Sequence, residues 1–443
     1  MSDQLHTSQP DKDEKQPPPS AKEVSEKLEE FIKKSLGGQV IFTKIEDVTD
    51  VKNEPWEDEQ VPETLPMAQH SIFDFNYKPK DIKAYLDRFV IRQDTAKKVL
   101  ATAVCDHYHH ARMLREHQSG ATLEILELSK QNVIIAGPTG VGKTYLVKHI
   151  ADLIGVPFVK ADATKFSETG YVGADVDELV RDLVHKANGN VQLAEHGIIY
   201  LDEIDKIASS GERIGRDVSG RGVQTALLKI MEETEVPLYA PNDMRQQMRL
   251  MFDLRSGKRS GKEVISTRNI LFIVSGAFNG IEKIIHKRLG HASIGFNTTL
   301  PKAPDENREN VMHQVRSADF IQYGFEAEFI GRLPVRVVCE ALDEAALFQI
   351  QKQSEGSLIR QYVREFAAYG VEVNFTDDAL HEVAAMAAKE KTGARGLMTV
   401  WEETLRDFKF ELPSSQVQRL EITAQTLRNP AAALESCLQS AKR

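Results

Sequence analysis

The stretch Gly137-Pro138-Thr139-Gly140-Val141-Gly142-Lys143-Thr144 decides the fold. It matches G-x-x-x-x-G-K-[ST], in which the glycines let successive backbone N–H groups turn inward around phosphate oxygens. The apolar run before it, Asn132–Ala136, reads as a buried strand, and Thr144–Leu153 after it reads as an amphipathic helix. A strand, a tight glycine turn and the positive end of a helix together make an anion cradle. In that cradle Lys143 is expected to reach the β- and γ-phosphates of ATP, and the Thr144 hydroxyl to bind Mg²⁺. A glycine-rich turn with an incidental lysine would not account for the flanking strand and helix.

The second half of such a site is an apolar strand that ends in an acid. Ile198-Ile199-Tyr200-Leu201-Asp202-Glu203 supplies it, with Asp202 lying 59 residues after Lys143. Asp202 is expected to orient the Mg²⁺ shell and Glu203 to polarise the attacking water, which favours hydrolysis over mere binding. The competing reading is an acidic helix cap, since Asp205 and Lys206 follow. Further apolar runs at Phe158–Ala161, Gly197–Leu201 and Asn269–Val274 suit a parallel sheet covered on both faces by helices. Beyond Ala341 the periodicity becomes helical, apart from a β-branched run at Val371–Phe375. The expected class is α/β, a P-loop NTPase domain with a parallel sheet followed by a smaller, mostly helical domain.

Composition sets the outer limits. The chain has 443 residues, 41% apolar and 28% charged, enough for two or three domains with proper cores. Of its net charge of −10, most lies in residues 1–68, which hold 16 acidic and 8 basic side chains. No basic surplus points to nucleic acid as the main partner. Cys105, Cys339 and Cys437 lie far apart, which fits a reducing compartment and suggests the cytoplasm. The cluster Cys105, His107, His109 and His110 does not share one helix face, which argues against a metal site. No apolar run reaches the ~18 residues of a membrane span. Residues 1–68 read as an acidic leader, with Pro17-Pro18-Pro19 and one amphipathic helix over Ala21–Leu36 that could dock on a partner groove or stay disordered. The expected division is 1–68, 69–340 and 341–443.

The segments GPTGVGKT (137–144), ADATKFSETGYVGADV (161–176), GIIYLDEIDKI (197–207), RDVSGRGVQTALLKIMEET (216–234), ILFIVSGAF (270–278), EFIGRLP (328–334) and KTGARGL (391–397) resemble the ClpX branch of the AAA+ ATPases. The likeness covers roughly residues 72–425. The related HslU branch carries a large extra domain before its second acidic motif, for which the 59-residue spacing leaves no room. The resemblance implies a homo-hexameric ring that threads unfolded or tagged proteins through a pore by ATP hydrolysis and feeds a ClpP-type peptidase. It implies an arginine finger at Arg332, a second sensor arginine at Arg395, and adenine contacts at Val90 and Ile91, which could instead be plain core. It also implies a gripping pore loop at Gly170-Tyr171-Val172-Gly173, with Tyr171 and Val172 at its tip, and a second pore loop at Arg216-Asp217-Val218. Ile294-Gly295-Phe296 would be the peptidase-docking tip. From residues alone, Tyr171 and Phe296 would read as packed apolar side chains.

Three departures from the family pattern stand out. Arg92 occupies a position where glycine is usual, which leaves the local backbone open to change. No cysteine precedes Cys105, so the four-cysteine zinc domain is not expected. The stretch 241–268 lacks the usual Arg-Lys-His tripeptide, though its seven basic and three acidic residues could still attract acidic tails. The rival functions are a stand-alone remodelling chaperone with the same motor, and a nucleotide-switched scaffold, which Glu203, Arg332 and Arg395 together disfavour.

Overall fold

Three central strands, β1 (Val133–Ala136), β3 (Ile198–Asp202) and β6 (Leu271–Gly276), are buried on both faces, as their unbroken apolar runs require. The computed structural model describes residues 75–119, 129–166, 175–208, 220–238, 264–290 and 311–440. The leader helix, Tyr171, Val172, Arg216-Asp217-Val218, most of 241–268 and Ile294-Gly295-Phe296 lie outside the described residues.

The sheet is five-stranded, in the order β2-β3-β6-β1-β7, with β2 spanning Phe158–Asp162 and β7 Val335–Val338. All its pairings are parallel, with Ile135 opposite Ser275 and Tyr200 opposite Ile273. Alternate residues enter different cores, as the two-residue period of a strand dictates. Ile134, Ile199, Leu201, Phe272 and Val274 face one core. Val133, Ile135, Ile198, Tyr200, Leu271 and Ile273 face the other, against Leu146, Val147 and Ile150 of the helix Lys143–Ile154. β2 departs from the expectation of burial on both faces, because it sits at the sheet edge and leaves Lys160 exposed.

Beyond the sheet, β4 (Glu235–Pro237) and β5 (Val264–Ser266) form a small antiparallel pair. The later residues build a third core around Trp401, Phe366 and Phe408. There the helices Glu344–Gln353, Asp377–Glu390 and Ala394–Glu411 pack with one parallel pair, β8 (Glu372–Phe375) and β9 (Arg419–Ile422). Among the described residues no helix is long and apolar enough to cross a membrane.

Candidate nucleotide site

A cavity of about 530 Å³ lies between the carboxyl ends of the sheet strands and the helical part. The carboxyl edge of a parallel sheet is where ligands bind, because loops and helix N-termini converge there. Thr139, Gly140, Val141, Gly142, Lys143, Thr144, Asp202, Glu203, Val90, Ile91 and Arg395 all line it. Residues from four separate stretches of sequence therefore meet at one place.

The glycine loop has the conformation its sequence demands. Gly140 and Gly142 have φ of +75° and +96°, the left-handed region open to glycine. A Cβ on Gly140 would also collide with the carbonyl oxygen of Thr392, while the Ala394 N–H donates to the Gly140 carbonyl at 2.9 Å. The helical part is seated directly on the loop backbone, beside Arg395. Lys143 is buried and its ammonium donates to the carbonyls of Gly137 and Pro138, at 2.6 and 2.7 Å. Burial, reinforced by the charge of Arg395, lowers its proton affinity below the usual lysine range, against the opposing pull of Asp202 and Asp205.

Thr144 and Asp202 meet across the floor of the cavity, with Oγ1 3.3 Å from Oδ2. Burial alone would raise the Asp202 carboxyl, but the Ser275 hydroxyl, the Glu203 N–H and the charges of Lys160 and Lys143 outweigh it, so the group sits below the ordinary aspartate range. An ionised carboxylate beside a hydroxyl is the hard-oxygen donor set that Mg²⁺ prefers, completed by waters and phosphate oxygens. These two residues fit the ion and would hold it against the phosphates. Glu203 is exposed and takes φ +56°, a left-handed conformation that costs a non-glycine residue about 1–2 kcal/mol. The strain turns its carboxylate out of the strand path at the cavity wall.

The end of the cavity lined by Val90 and Ile91 is built differently. Val90 is buried and Ile91 half-buried, and the residues around them are tied to the helical part. Arg88 makes a two-pronged ion pair with Glu355 at 2.7 and 2.8 Å, and Ser354 Oγ donates to the Phe89 carbonyl at 2.7 Å. Gln93 exchanges hydrogen bonds with the backbone of Glu340 at 2.8 and 2.9 Å. Arg92 has φ +58°, so the arginine holds a glycine-type backbone, and its guanidinium pairs with Asp343 at 2.6 Å. Asp343 uses its other oxygen to cap the helix Glu344–Gln353 through the Ala346 N–H. Tyr145 joins the wall, its hydroxyl lying where a Cβ on Gly356 would stand.

Arg332 stands apart. It follows the helix Ala327–Gly331, is exposed, does not line the cavity, and pairs with Glu232 at 2.5 Å. Residues that the motifs did not single out include Asn279, which lines the cavity after β6, and the hydroxyls of Tyr200 and Ser275. A hydroxyl at Ser275 inside the buried run Leu271–Gly276 was the available signal.

A glycine loop with a buried lysine, an acidic strand end and an arginine carried in from a helical part, gathered around one cavity, are the features of a nucleotide hydrolase of the AAA class. In agreement, a profile of the AAA domain (Cdc48 subfamily) matches residues 128–336. The chain is 42% identical to the ATP-dependent Clp protease ATP-binding subunit ClpX of Borrelia duttonii (strain Ly), over 79% of this chain and 78% of the relative. It is as similar to the corresponding subunit of Borrelia recurrentis (strain A1), with the same coverage. It is 41% identical to ATP-dependent Clp protease ATP-binding subunit ClpX 3 of Methylococcus capsulatus (strain ATCC 33009 / NCIMB 11132 / Bath), over 80% of this chain and 81% of the relative. The chain belongs to the ClpX family and is an ATP hydrolase of the AAA+ class.

Proposed function

We propose that this protein is the ATP-driven unfoldase of a cytoplasmic Clp-type protease. It works as a homo-hexameric ring that pulls unfolded or tagged polypeptides through its pore and delivers them to a ClpP-type peptidase. The observation that carries this reading is the convergence of Lys143, Asp202 and Glu203 with Arg395 around one cavity, since the last comes from a different core. Lys143 and the loop N–H groups bind the phosphates, and Glu203 orients and deprotonates the attacking water. Mg²⁺ held by Thr144 and Asp202 would offset phosphate charge. Arg395 reports nucleotide state to the helical domain, 341–443, which moves as a lid on the ATPase domain, 69–340. Arg332, exposed and outside its own cavity, serves the neighbouring subunit's site. Peptidase partnership draws support from the protease named in the relatives' descriptions.

Two variants test the reading. Tyr171→Ala should keep ATP turnover while unfolding of a tagged reporter falls sharply. Phe296→Ala should keep ATPase and unfolding and lose ATP-dependent degradation with a ClpP-type peptidase. Full degradation by a well-folded Phe296→Ala protein would favour the stand-alone chaperone instead.

A further inference from the structure

Four polar side chains meet beneath the phosphate loop, and only two of them have a role so far. Ser275 donates from Oγ to Asp202 Oδ1 at 2.7 Å, and Tyr200 OH lies 2.6 Å from Ser275 Oγ. Thr144 Oγ1 lies 3.1 Å from Tyr200 OH and 3.3 Å from Asp202 Oδ2. Ser275 and the Tyr200 ring are fully buried. Strand parity puts them there. Tyr200 and Asp202 share a face of β3, and Ser275 shares the matching face of β6 with Leu271 and Ile273, under the helix that carries Thr144.

The direction of each bond follows from proton counting. An ionised carboxylate only accepts, so the Ser275 hydroxyl must give its one proton to Asp202. Ser275 can then only accept from Tyr200, so the phenol proton points at Ser275. The phenol oxygen has no second proton and can only accept, and Thr144 is the donor within reach. Thr144 therefore spends its single proton on Tyr200 or on Asp202. That leaves its lone pairs available, as a metal ligand requires.

We infer that Tyr200 and Ser275 are positioning residues, a one-way hydrogen-bond relay that holds Thr144 and Asp202 ready for Mg²⁺ before nucleotide arrives. The inference rests on Thr144 and Asp202 being the metal-holding pair. Neither relay residue touches nucleotide. Their effect is on the orientation of two oxygens, and it appears only when the metal is present.

The test measures affinity for a fluorescent ADP analogue with excess Mg²⁺ and with EDTA, giving the factor by which the metal strengthens binding. Ser275→Ala and Tyr200→Phe should cut that factor by about three- to tenfold, in keeping with loss of one hydrogen bond of ordinary strength. Affinity in EDTA should stay within about twofold of wild type, because the phosphate loop is untouched. Asp202→Asn serves as the control for the metal-holding pair. If it loses the metal effect while both relay variants keep it at wild-type melting temperature, the relay is overturned and the metal pair stands. If Asp202→Asn itself keeps the full effect, the metal assignment fails and takes the relay with it. A general loss of packing would weaken binding equally with and without the metal, which also overturns the relay.

Discussion

The two ends of the cavity are built differently. At the phosphate end Lys143, Thr144, Asp202, Tyr200 and Ser275 are held by buried and half-buried hydrogen bonds, with no exposed ion pair between them. The end lined by Val90 and Ile91 is a seam in which segment 88–93 meets residues 340–355, through the exposed pairs Arg88–Glu355 and Arg92–Asp343 and through the bonds of the buried Gln93 and Ser354 to backbone carbonyl and N–H groups. Buried bonds leave a group unsatisfied when broken, so they hold one geometry, whereas exposed ion pairs contribute only about 0–1 kcal/mol each and re-form readily. The lid role proposed for the helical part therefore rests on the seam, where the ion pairs are exposed and the Gln93 and Ser354 bonds are not. Arg395 crosses from the second to the first.

Four experiments can break or sharpen this contrast. The largest effect is expected from Glu203→Gln, which removes the carboxylate proposed to activate the water and leaves the loop intact. Turnover should fall by about 10²-fold or more with nucleotide binding retained. An unchanged steady-state rate would take Glu203 out of the chemistry.

Gly140→Ala strikes the joint between the ends. It forces a left-handed alanine, costing about 1–2 kcal/mol, and drives its Cβ into the Thr392 carbonyl. Nucleotide affinity should drop at least tenfold, with a lower melting temperature. Wild-type affinity would mean that the helical part is not seated on the loop when nucleotide is bound.

Arg332 belongs to neither end of its own cavity. Arg332→Ala subunits mixed with Glu203→Gln subunits should regain a few per cent to a quarter of wild-type turnover, measured after subunit exchange. A mixture as inactive as its parents would argue against action across subunits.

The smallest effect is predicted for Arg92→Gly. Glycine relieves a backbone strain of about 1–2 kcal/mol while the lost Arg92–Asp343 pair contributes at most about 1 kcal/mol, so thermal stability should change little or rise slightly. The salt dependence of nucleotide affinity should weaken, because one exposed pair at the seam is gone. A drop in stability of several kcal/mol in denaturant titration would show that the seam is far more rigid than its exposure implies.

Much of this was legible in residues near one another in the chain. The glycine loop, the strand ending in Asp202-Glu203 and the β-branched runs specify strand, turn and helix locally, and burial on both faces follows from runs with no polar alternation. That a parallel sheet carries the loop at its edge follows from the same pattern. What Arg92 does at a position where glycine is usual was not legible, because its partner Asp343 lies 251 residues away. Nor was the role of Ser275. A serine in an apolar run acquires meaning only when register puts it beside Tyr200 and Asp202 on a neighbouring strand. The glycine loop, its lysine and the acidic strand end could be read from sequence, because backbone conformation and residue type act over a few residues. Tertiary structure alone decided that Arg395 shares the cavity and that Arg332 does not. It also decided which hydroxyls face the metal acid, because those facts depend on how distant segments pack and on which face each strand turns to its neighbour.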